Sequence, residues 1–318
     1  MKALRVKDHN VQLADIPTPG QNGEALVRVV RSGICNTDLE IIRGYAGFDG
    51  TIGHEFVGVV ERADDSSGLV GKRVVGEINV GCGKCELCVA GDSRHCATRT
   101  VLGIHNRDGA HAEFLTLPAR NLIEVPGNVT DPAAVFAEPL AAAYGIFEQV
   151  NVGPETKVAV IGDGKLGLLC AMTMRLRTDL VSLIGKHPEK MAIVEKLGVE
   201  VLLLERETIP ARKFDIVVEA SGSETGFTTA LEVVKPRGKI ILKSTFHGTA
   251  KWEGARVVVD EISIIGSRCG RLAPAIELLA SNKVNVEDLI SEEFRLEDGV
   301  LALKQAEKPG VLKVLLKA

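Results

Sequence analysis

The sequence predicts an α/β protein of two domains, a β-rich first domain and a doubly wound parallel-sheet domain. The chain has 318 residues, more than the about 250–300 at which a single hydrophobic core stops growing. Short strand-like runs between Gly- and Pro-rich turns fill the first part, and from about Leu140 strand, turn and helix alternate, as in a parallel sheet. We therefore expect a first domain at 1–138, a second at 139–267, and a return to the first at 268–318.

The composition is that of an ordinary globular protein, with 45% hydrophobic and 25% charged residues. A formal net charge of -4 offers no basic surface for a nucleic-acid backbone. No run of the sequence approaches the roughly 20 apolar residues of a membrane-spanning helix, and the charged N-terminus does not read as a signal peptide. We expect a cytoplasmic protein with neither nucleic acid nor a membrane among its partners.

In the first domain, the runs 25–30 (ALVRVV) and 56–60 (FVGVV) are typical of strands. Turns rich in glycine and proline separate them, and the helix signal is weak. These features predict a small, irregular β domain.

In the second domain, an apolar strand at 157–161 precedes a Gly-rich turn and a helix that runs to Arg175. Further strands are predicted at 180–184, 215–220 and 239–243, with a helix at 188–197 after the second strand. A helix at 272–280 and a strand at 311–316 follow in the returning segment. The repeated βα unit is what predicts the doubly wound sheet.

Four of the seven cysteines share one short segment: Cys82, Cys85, Cys88 and Cys96. In a chain expected to be intracellular, such clustering favours metal over disulfide bonds. Four thiolates are the ligand set of a closed tetrahedral zinc site, which has no open position for a substrate. The alternative is a set of free or redox-active thiols. We predict a structural zinc lobe at 81–97 and interpret the isolated Cys170 and Cys269 as small buried apolar residues.

Three separate fragments carry further candidate ligands: Cys35 in GICNTD, His54 and Glu55 in GHE, and Glu138 in AEPL. Each fragment alone is weak evidence, because a buried cysteine and a hydrogen-bonded His–Glu pair are common structural features. Together, beside the cysteine lobe and ahead of a dinucleotide pattern, they favour a catalytic metal site.

The dinucleotide pattern is Gly162-Asp-Gly164-Lys165-Leu166-Gly167. It follows a predicted strand and opens a predicted helix, which is the context that a G-x-G-x-x-G motif requires. The glycines permit the tight turn, the approach of the pyrophosphate and close packing of the helix on the strand, while the helix N-terminus attracts negative charge.

These motifs resemble the zinc-containing branch of the medium-chain dehydrogenase/reductase superfamily, which includes alcohol, sorbitol, glucose and threonine dehydrogenases. The resemblance covers essentially the whole chain. It implies a GroES-like catalytic domain assembled from both chain ends, with a Rossmann domain between them. It also implies that Cys35 and His54 ligate a catalytic zinc ion. As third ligand the resemblance implies Glu138, at the E-P position typical of polyol-type members, or Glu55. The two glutamates exchange or one of them holds the zinc-bound water, and the sequence leaves this choice open.

The resemblance further implies a proton relay. Thr37 matches the relay hydroxyl of the family, although a hydroxyl two residues after Cys35 serves equally well as the cap of a turn. Glu40 stands where many relatives have a histidine at the outer end of the relay. Zinc is the expected Lewis acid that lowers the pKa of the substrate alcohol before hydride transfer.

The end of the second strand predicts the choice of cofactor. NAD-preferring members place an acid there, whereas this chain has Gly185-Lys186-His187-Pro188. We expect Lys186, with His187, to pair with a 2'-phosphate, much as G-S-R-P does in NADP-dependent relatives, so that NADP is preferred over NAD. The alternative is that Lys186 is an ordinary solvated lysine and both cofactors are used.

Two further residues are expected near the cofactor. Ser221 follows the third predicted strand and is expected to pass beside it. Arg268 is expected to reach the pyrophosphate or a substrate hydroxyl, with a salt bridge between the domains as its alternative role.

The sequence thus predicts an NAD(P)-linked oxidoreductase with two zinc ions per chain, which interconverts a secondary alcohol or polyol with its carbonyl. An NADPH-dependent zinc reductase of a larger ketone or aldehyde is one alternative. A non-catalytic relative is another. The resemblance also implies a homodimer or homotetramer.

Overall fold

The structure, a computed structural model, describes residues 1–20, 22–64, 67–204, 206–245 and 254–318. It divides into two compact units. Unit 1 comprises Met1–Glu138 and Leu272–Ala318, and unit 2 comprises Pro139–Arg271. None of the helices in the described ranges is long and apolar enough to cross a lipid bilayer.

The strands, in chain order, are β1 (Lys2–Lys7), β2 (Asn10–Asp15), β3 (Ala25–Gly33), β4 (Gly50–Thr51), β5 (Glu55–Arg62), β6 (Arg73–Gly76), β7 (Asn79–Val80), β8 (Thr100–Val101), β9 (Phe114–Leu117), β10 (Leu122–Glu124), β11 (Val158–Ile161), β12 (Val181–Gly185), β13 (Glu200–Leu203), β14 (Phe214–Glu219), β15 (Val234–Leu242), β16 (Ser263–Gly266), β17 (Ile290–Arg295) and β18 (Lys313–Lys317). The α-helices are α1 (Asn36–Ile42), α2 (Glu86–Val89), α3 (Asp131–Val135), α4 (Ala137–Tyr144), α5 (Lys165–Met174), α6 (Pro188–Glu195), α7 (Glu224–Val233), α8 (Gly254–Val259), α9 (Leu272–Ala280) and α10 (Gly299–Ala306).

The main sheet of unit 1 has the order β10-β6-β5-β3-β18-β17, with β9 also paired to β3. Strand β5 runs antiparallel to β3 with Glu55 opposite Gly33, and β18 runs antiparallel on the other side of β3 with Leu315 opposite Gly33. Directly opposed residues of antiparallel strands lie about 5 Å apart. This register therefore brings the end of β3, the start of β5 and the start of β18 to one place.

Apolar side chains anchor this region of unit 1. One buried cluster lines the main sheet and includes Val27. Another joins β1, α1 and β18 through Leu4, Ile41 and Val314. Burying a side chain such as Ile41 contributes about 1.5–3 kcal/mol, so the helix that follows Cys35 is held against the sheet by its apolar face.

Within the described residues, unit 2 forms a six-stranded sheet of order β13-β12-β11-β14-β15-β16. All of its neighbouring strands are parallel, which confirms the predicted doubly wound sheet. Its central strand β11 is buried on both faces, as strands covered by helices are. The strand order reverses between β11 and β14, and the carboxyl ends of strands at such a point form the ligand crevice of this class of fold.

The second segment of unit 1 begins at Leu272. Shortly before it, a Cβ atom at Gly270 would lie 1.9 Å from the carbonyl oxygen of Ala141. The backbone around Gly270 thus packs directly against unit 2. Leu272 is the first residue held by unit 1, since its N–H donates to the carboxylate of Glu77 at 2.8 Å.

Candidate metal centres and dinucleotide turn

Three candidate ligands lie together in unit 1. Cys35 lies two residues after the end of β3 and is the N-cap of α1, while His54 directly precedes the neighbouring strand β5 and Glu55 is its first residue. The Cys35 sulfur, a ring nitrogen of His54 and a carboxylate oxygen of Glu55 all lie within 4.8 Å of one another. A thiolate, an imidazole and a carboxylate are donors that zinc accepts, and three protein ligands leave a position open for substrate. The donor set therefore fits a catalytic zinc ion.

Asp38 is a buried carboxylate beside His54. It accepts hydrogen bonds from the backbone N–H groups of Cys35 at 2.8 Å and Gly53 at 3.1 Å. His54 Nδ1 lies 3.4 Å from it. Burial by itself would raise the pKa of Asp38, but its interactions with His54 and His111 hold that pKa well below its usual range. With Nδ1 facing this carboxylate, His54 has Nε2 left for a metal, and a carboxylate behind the ring is the arrangement that orients metal-binding histidines.

A second buried histidine lies on the other side of Asp38. His111 Nε2 is 3.4 Å from the Asp38 carboxylate, and His111 Nδ1 is 2.8 Å from the Ser32 hydroxyl. The ring packs on Gly53, where a Cβ atom would lie 2.5 Å from it. Sequence reasoning missed His111 and Ser32, because neither belongs to a ligand motif. A histidine between two small apolar residues, Ala110 and Ala112, was the one available signal.

Glu55 also forms a buried ion pair with Lys313 of β18. Both side chains are 1% exposed, and Lys313 Nζ donates a further hydrogen bond to the carbonyl oxygen of Ile34 at 3.3 Å. Gly33 makes room for the pair, because a Cβ atom at this position would lie 2.5 Å from the Glu55 carboxylate. Sequence reasoning missed Lys313, although a lysine inside the apolar run 311–316 is itself unusual.

The other candidates for the catalytic site lie around this group. Glu138, in α4, is half-buried and is not part of the set of close ligand atoms found among the described residues. The Thr37 hydroxyl oxygen lies 3.6 Å from the Cys35 sulfur. The Glu40 carboxylate accepts a hydrogen bond from Arg43 at 2.7 Å within an ion pair at the surface.

The four cysteines of the lobe form a second group of ligand atoms. Their sulfurs all lie within 4.8 Å of one another, close to the about 3.8 Å between sulfurs that tetrahedral Zn–S bonds of 2.3 Å imply. The N–H of Cys82 donates to the Cys96 sulfur, and the N–H of Cys85 donates to the Cys82 sulfur, both at 3.4 Å. The first of these bonds lowers the pKa of Cys96 to about 6. The lobe therefore fits a closed four-thiolate zinc site.

The glycines of the turn after β11 have separate roles. Gly162 has a φ of +108°, and a Cβ atom there would lie 2.7 Å from the carbonyl oxygen of Ala220. A Cβ atom at Gly167 would lie 1.9 Å from the carbonyl oxygen of Gly162, so the start of α5, at Lys165 and Leu166, packs tightly on the turn. A Cβ atom at Gly164 would meet nothing within 4 Å. The backbone is thus open where a pyrophosphate would approach a helix N-terminus.

Asp163, to which sequence reasoning assigned no role, places its carboxylate beside the residues that follow β12. Asp163, from the Gly-rich turn, accepts hydrogen bonds from the backbone N–H groups of Lys186 and His187, both at 2.7 Å. Its two oxygens also lie 3.1 and 3.0 Å from His187 Nδ1. Burial raises the pKa of Asp163, but these hydrogen bonds outweigh burial and lower it below its ordinary value.

Ser221 and Arg268 lie at the carboxyl edge of the same sheet. The Ser221 hydroxyl donates to the buried Glu219 at 2.6 Å. The backbone carbonyl of Arg268 accepts a hydrogen bond at 3.0 Å from Lys243, a buried lysine that also donates to the carbonyl of Ala142 at 2.7 Å. Lys243 thus ties the two segments through which the chain enters and leaves unit 2, and sequence reasoning missed it.

Comparison with known proteins identifies the family. A model of the alcohol dehydrogenase GroES-like domain matches residues 21–127, and a model of the zinc-binding dehydrogenase domain matches residues 166–281. A sorbitol dehydrogenase of Halalkalibacterium halodurans is 28% identical over 99% of both chains. An L-threonine 3-dehydrogenase of Coxiella burnetii is 30% identical over 90% of this chain and 89% of that protein.

A solved structure from Sinorhizobium meliloti 1021, described as a zinc-binding dehydrogenase bound to NADP, is 25% identical and covers 100% of this chain and 99% of its own, with a TM-score of 0.91. Unit 1 is therefore the GroES-like domain and unit 2 the Rossmann-type domain, as the sequence predicted. The chain belongs to the zinc-type medium-chain dehydrogenase/reductase superfamily.

Proposed function

We propose that this protein is a zinc-dependent, NAD(P)-linked dehydrogenase that interconverts a secondary alcohol or a polyol with the corresponding carbonyl compound. The observation that carries the proposal is the group formed by Cys35, His54 and Glu55, whose ligand atoms lie within 4.8 Å of one another. The sorbitol dehydrogenase relative supports the polyol class of substrate, as does the Glu138-Pro139 pair of the sequence.

Two zinc ions per chain are part of the proposal. Cys35, His54 and Glu55 would hold the first, with Glu138 as the alternative carboxylate, and the cysteine lobe would hold the second. The first zinc would supply Lewis-acid chemistry that lowers the pKa of the substrate alcohol. Asp38 orients His54, and Lys313 holds the Glu55 carboxylate in place, so these residues keep the donor set assembled.

Thr37 is proposed to carry the substrate proton. A hydroxyl both accepts and donates, so Thr37 can take the proton of the alcohol and pass its own outward. Its oxygen lies 3.6 Å from the Cys35 sulfur, which places it beside the proposed metal site. Glu40, one helical turn further along α1, is the proposed outer acceptor, and its ion pair with Arg43 lies at the surface.

The dinucleotide would supply the hydride acceptor. We propose that the turn from Gly162 to Gly167 holds its pyrophosphate and that Ser221 lies beside it. Lys186 and His187, at the carboxyl end of β12, would bind a 2'-phosphate and make NADP the preferred cofactor. The NADP bound to the Sinorhizobium relative supports a nicotinamide dinucleotide as the cofactor.

The first test is direct binding of each cofactor. The zinc-loaded protein is titrated separately with NADPH and NADH, and binding is followed by nicotinamide fluorescence. We expect tighter binding of NADPH, and we expect Lys186→Ala to weaken NADPH binding by about tenfold, the loss of one charge-assisted hydrogen bond. Lys196→Ala, which removes an exposed lysine at the opposite end of α6, is the matched control and leaves both affinities unchanged.

Each outcome has a defined meaning. NADH binding equal to or tighter than NADPH binding would refute the proposed role of Lys186 and His187 while leaving the dehydrogenase proposal intact. Failure to bind either dinucleotide would refute the proposed function and favour a non-catalytic relative. With cofactor binding established, oxidation of a panel of polyols and secondary alcohols, followed as NADPH formation, defines the substrate class.

A further inference from the structure

The last residue of β12, where related folds place a ribose-binding acid, is Gly185. A Cβ atom at Gly185 would lie 2.7 Å from Asp163 Oδ2, 2.8 Å from Asp163 Cβ and 2.8 Å from the Met191 sulfur. The space in which a side chain of the second strand would begin is therefore filled by Asp163, which enters from the Gly-rich turn. Asp163 therefore occupies the space that the side chain of an acid at the end of β12 would need.

The Asp163 carboxylate accepts hydrogen bonds from the loop that follows β12. The residue is 8% exposed, and its Oδ2 accepts the backbone N–H groups of Lys186 and His187, both at 2.7 Å. Two such bonds favour the ionised form, and an ionised carboxylate only accepts hydrogen bonds. His187 Nδ1, 3.0 Å from Oδ2, must therefore carry the hydrogen and donate it. This contact fixes the ring and leaves Nε2 as the nitrogen that faces a ligand, and the doubly protonated ring has an N–H there to donate to a phosphate.

The same contacts determine which groups the loop offers to solvent. The His187 side chain is 42% exposed, and Lys186, whose backbone N–H is held by the same carboxylate, is also exposed. A carboxylate whose Oδ2 already accepts two backbone N–H groups, and whose Oδ1 faces His187 Nδ1, is less available to a ribose hydroxyl, whereas the two basic side chains around it are accessible. Basic groups held in a fixed geometry bind a phosphate better than the same groups on a mobile loop, because less conformational entropy is lost.

We propose that Asp163 is the positioning residue for cofactor choice: it anchors His187 and the backbone of Lys186 so that both basic side chains meet the 2'-phosphate of NADP. This inference rests on the proposed dinucleotide site and deepens it. Asp163 acts through His187 and does not itself contact the phosphate. A sequence with no acid on β12 thus has a carboxylate in the same region, and its role is opposite to that of the usual ribose-binding acid.

The test uses Asp163→Asn in the full-length, zinc-loaded protein. Asparagine keeps the size of the side chain and one accepting oxygen but lacks the charge that orients His187. We expect NADPH affinity to fall by about tenfold, as for loss of one charge-assisted hydrogen bond, while NADH affinity stays unchanged. The matched control is Asp179→Asn, the same substitution at an aspartate of unit 2 whose side chain is 90% exposed, and it leaves both affinities unchanged.

A double-mutant cycle distinguishes positioning from a general structural effect. If Asp163 acts through His187 and the backbone of Lys186, then His187→Gln alone lowers the preference for NADPH, and adding Asp163→Asn lowers it by less than Asp163→Asn does in the parent protein. His187→Gln leaves the Gly-rich turn untouched, so it provides the measurement even where Asp163→Asn does not fold. Equal loss of NADPH and NADH binding in Asp163→Asn, or additive losses in the double variant, would overturn the proposal.

If Asp163 recognised the ribose hydroxyl, its substitution would change NADPH affinity in the opposite direction. If Asp163 instead read the 2'-hydroxyl and repelled a phosphate, Asp163→Asn would bind NADPH more tightly than the parent protein does, and the proposal would be overturned. Failure of the parent protein to bind any dinucleotide would refute the proposed function itself. Binding of dinucleotide with an unchanged NADPH-to-NADH ratio in Asp163→Asn would refute this inference alone.

Discussion

Each buried carboxylate around the proposed catalytic zinc site lies close to a basic side chain. Asp38 has two histidines within 3.4 Å, and Glu55 has Lys313. Burial lowers the pKa of Lys313, but the nearby Glu55 carboxylate, together with Cys35 and Asp38, outweighs burial, so the pKa is raised above its ordinary value and the lysine stays charged. A buried charge without a partner costs several kcal/mol. The pairs therefore offset part of the cost of burying these groups inside the unit.

This balance predicts the effect of removing one partner. In Lys313→Met most of the side-chain length is kept, but in the zinc-free protein the Glu55 carboxylate is left buried and unpaired. We expect the free energy of unfolding to fall by about 3–5 kcal/mol, the usual cost of breaking a buried pair. Chemical denaturation of unit 1, followed by hydrogen exchange or circular dichroism, measures the change.

The control removes both partners together. Glu55→Gln/Lys313→Met leaves no unpaired charge, so we expect it to recover most of the lost stability, while its zinc content falls by one ion per chain because a proposed ligand is gone. Glu138→Gln, the matched carboxylate control, keeps both zinc ions. A Lys313→Met protein as stable as its parent would contradict the charge argument, and loss of zinc in Glu138→Gln alone would make Glu138 the ligand.

At the scale of elements, the cysteine lobe lacks a core of its own. Its short helix α2 exposes its apolar residues, with Val89 76% accessible. Buried apolar area therefore contributes little to its order. Four thiolates that converge on one point are what can hold such a segment, and metal binding then supplies the free energy that orders it.

Removing one thiolate tests this account of the lobe. In Cys88→Ser we expect zinc content to fall by one ion per chain and amide hydrogen exchange to become faster in residues 82–98. Dinucleotide binding stays unchanged, because the Gly-rich turn belongs to the other unit. Cys269→Ser, which alters a cysteine outside both groups, keeps both zinc ions. Unchanged exchange in the lobe after loss of zinc would show that packing rather than metal orders it.

The elements that sequence reasoning predicted well are those whose local pattern agrees with their tertiary role. Strands β11 and β12 are apolar runs ended by glycine, and both were placed to within a residue. Strands β13 and β16 were missed. They are four residues long, they lie at the two edges of the sheet, and their residues are largely half-exposed, so they lack the continuous apolar run of a central strand.

The residues of the candidate site also differ in how far the sequence predicts them. Candidate ligands in motifs, such as Cys35 and His54, could be proposed from the sequence because the motifs carry the signal, and the structure brings them together. Lys313, His111 and Asp163 were not proposed, because each acquires its role only when distant segments meet in the fold. Lys313 reaches Glu55 across 258 positions of sequence, and no local pattern encodes such a pairing. The partners of a site are thus harder to predict than the site itself.

At the scale of the whole molecule, the two units differ in how the chain builds them. Unit 2 is one continuous stretch, whereas unit 1 combines the first 138 residues with the last segment from Leu272. That segment contributes β18, which lies inside the main sheet between β3 and β17. It also contributes Lys313. Unit 1 therefore cannot complete its sheet or balance the charge of Glu55 until the end of the chain has been made.

Truncation of the chain tests this dependence. A protein that ends at Gly310 lacks β18, so β3 loses a hydrogen-bonded neighbour and Glu55 loses its cation. We expect fast hydrogen exchange throughout the main sheet of unit 1 and loss of one zinc ion, while unit 2 still binds a dinucleotide because its sheet is built from residues 139–271 alone.

A protein that ends at Leu316 loses only two exposed residues and behaves like the full chain. Protection of β3 and β5 in the shorter protein would show that the first 138 residues fold without the tail, and loss of dinucleotide binding would show that unit 2 depends on unit 1.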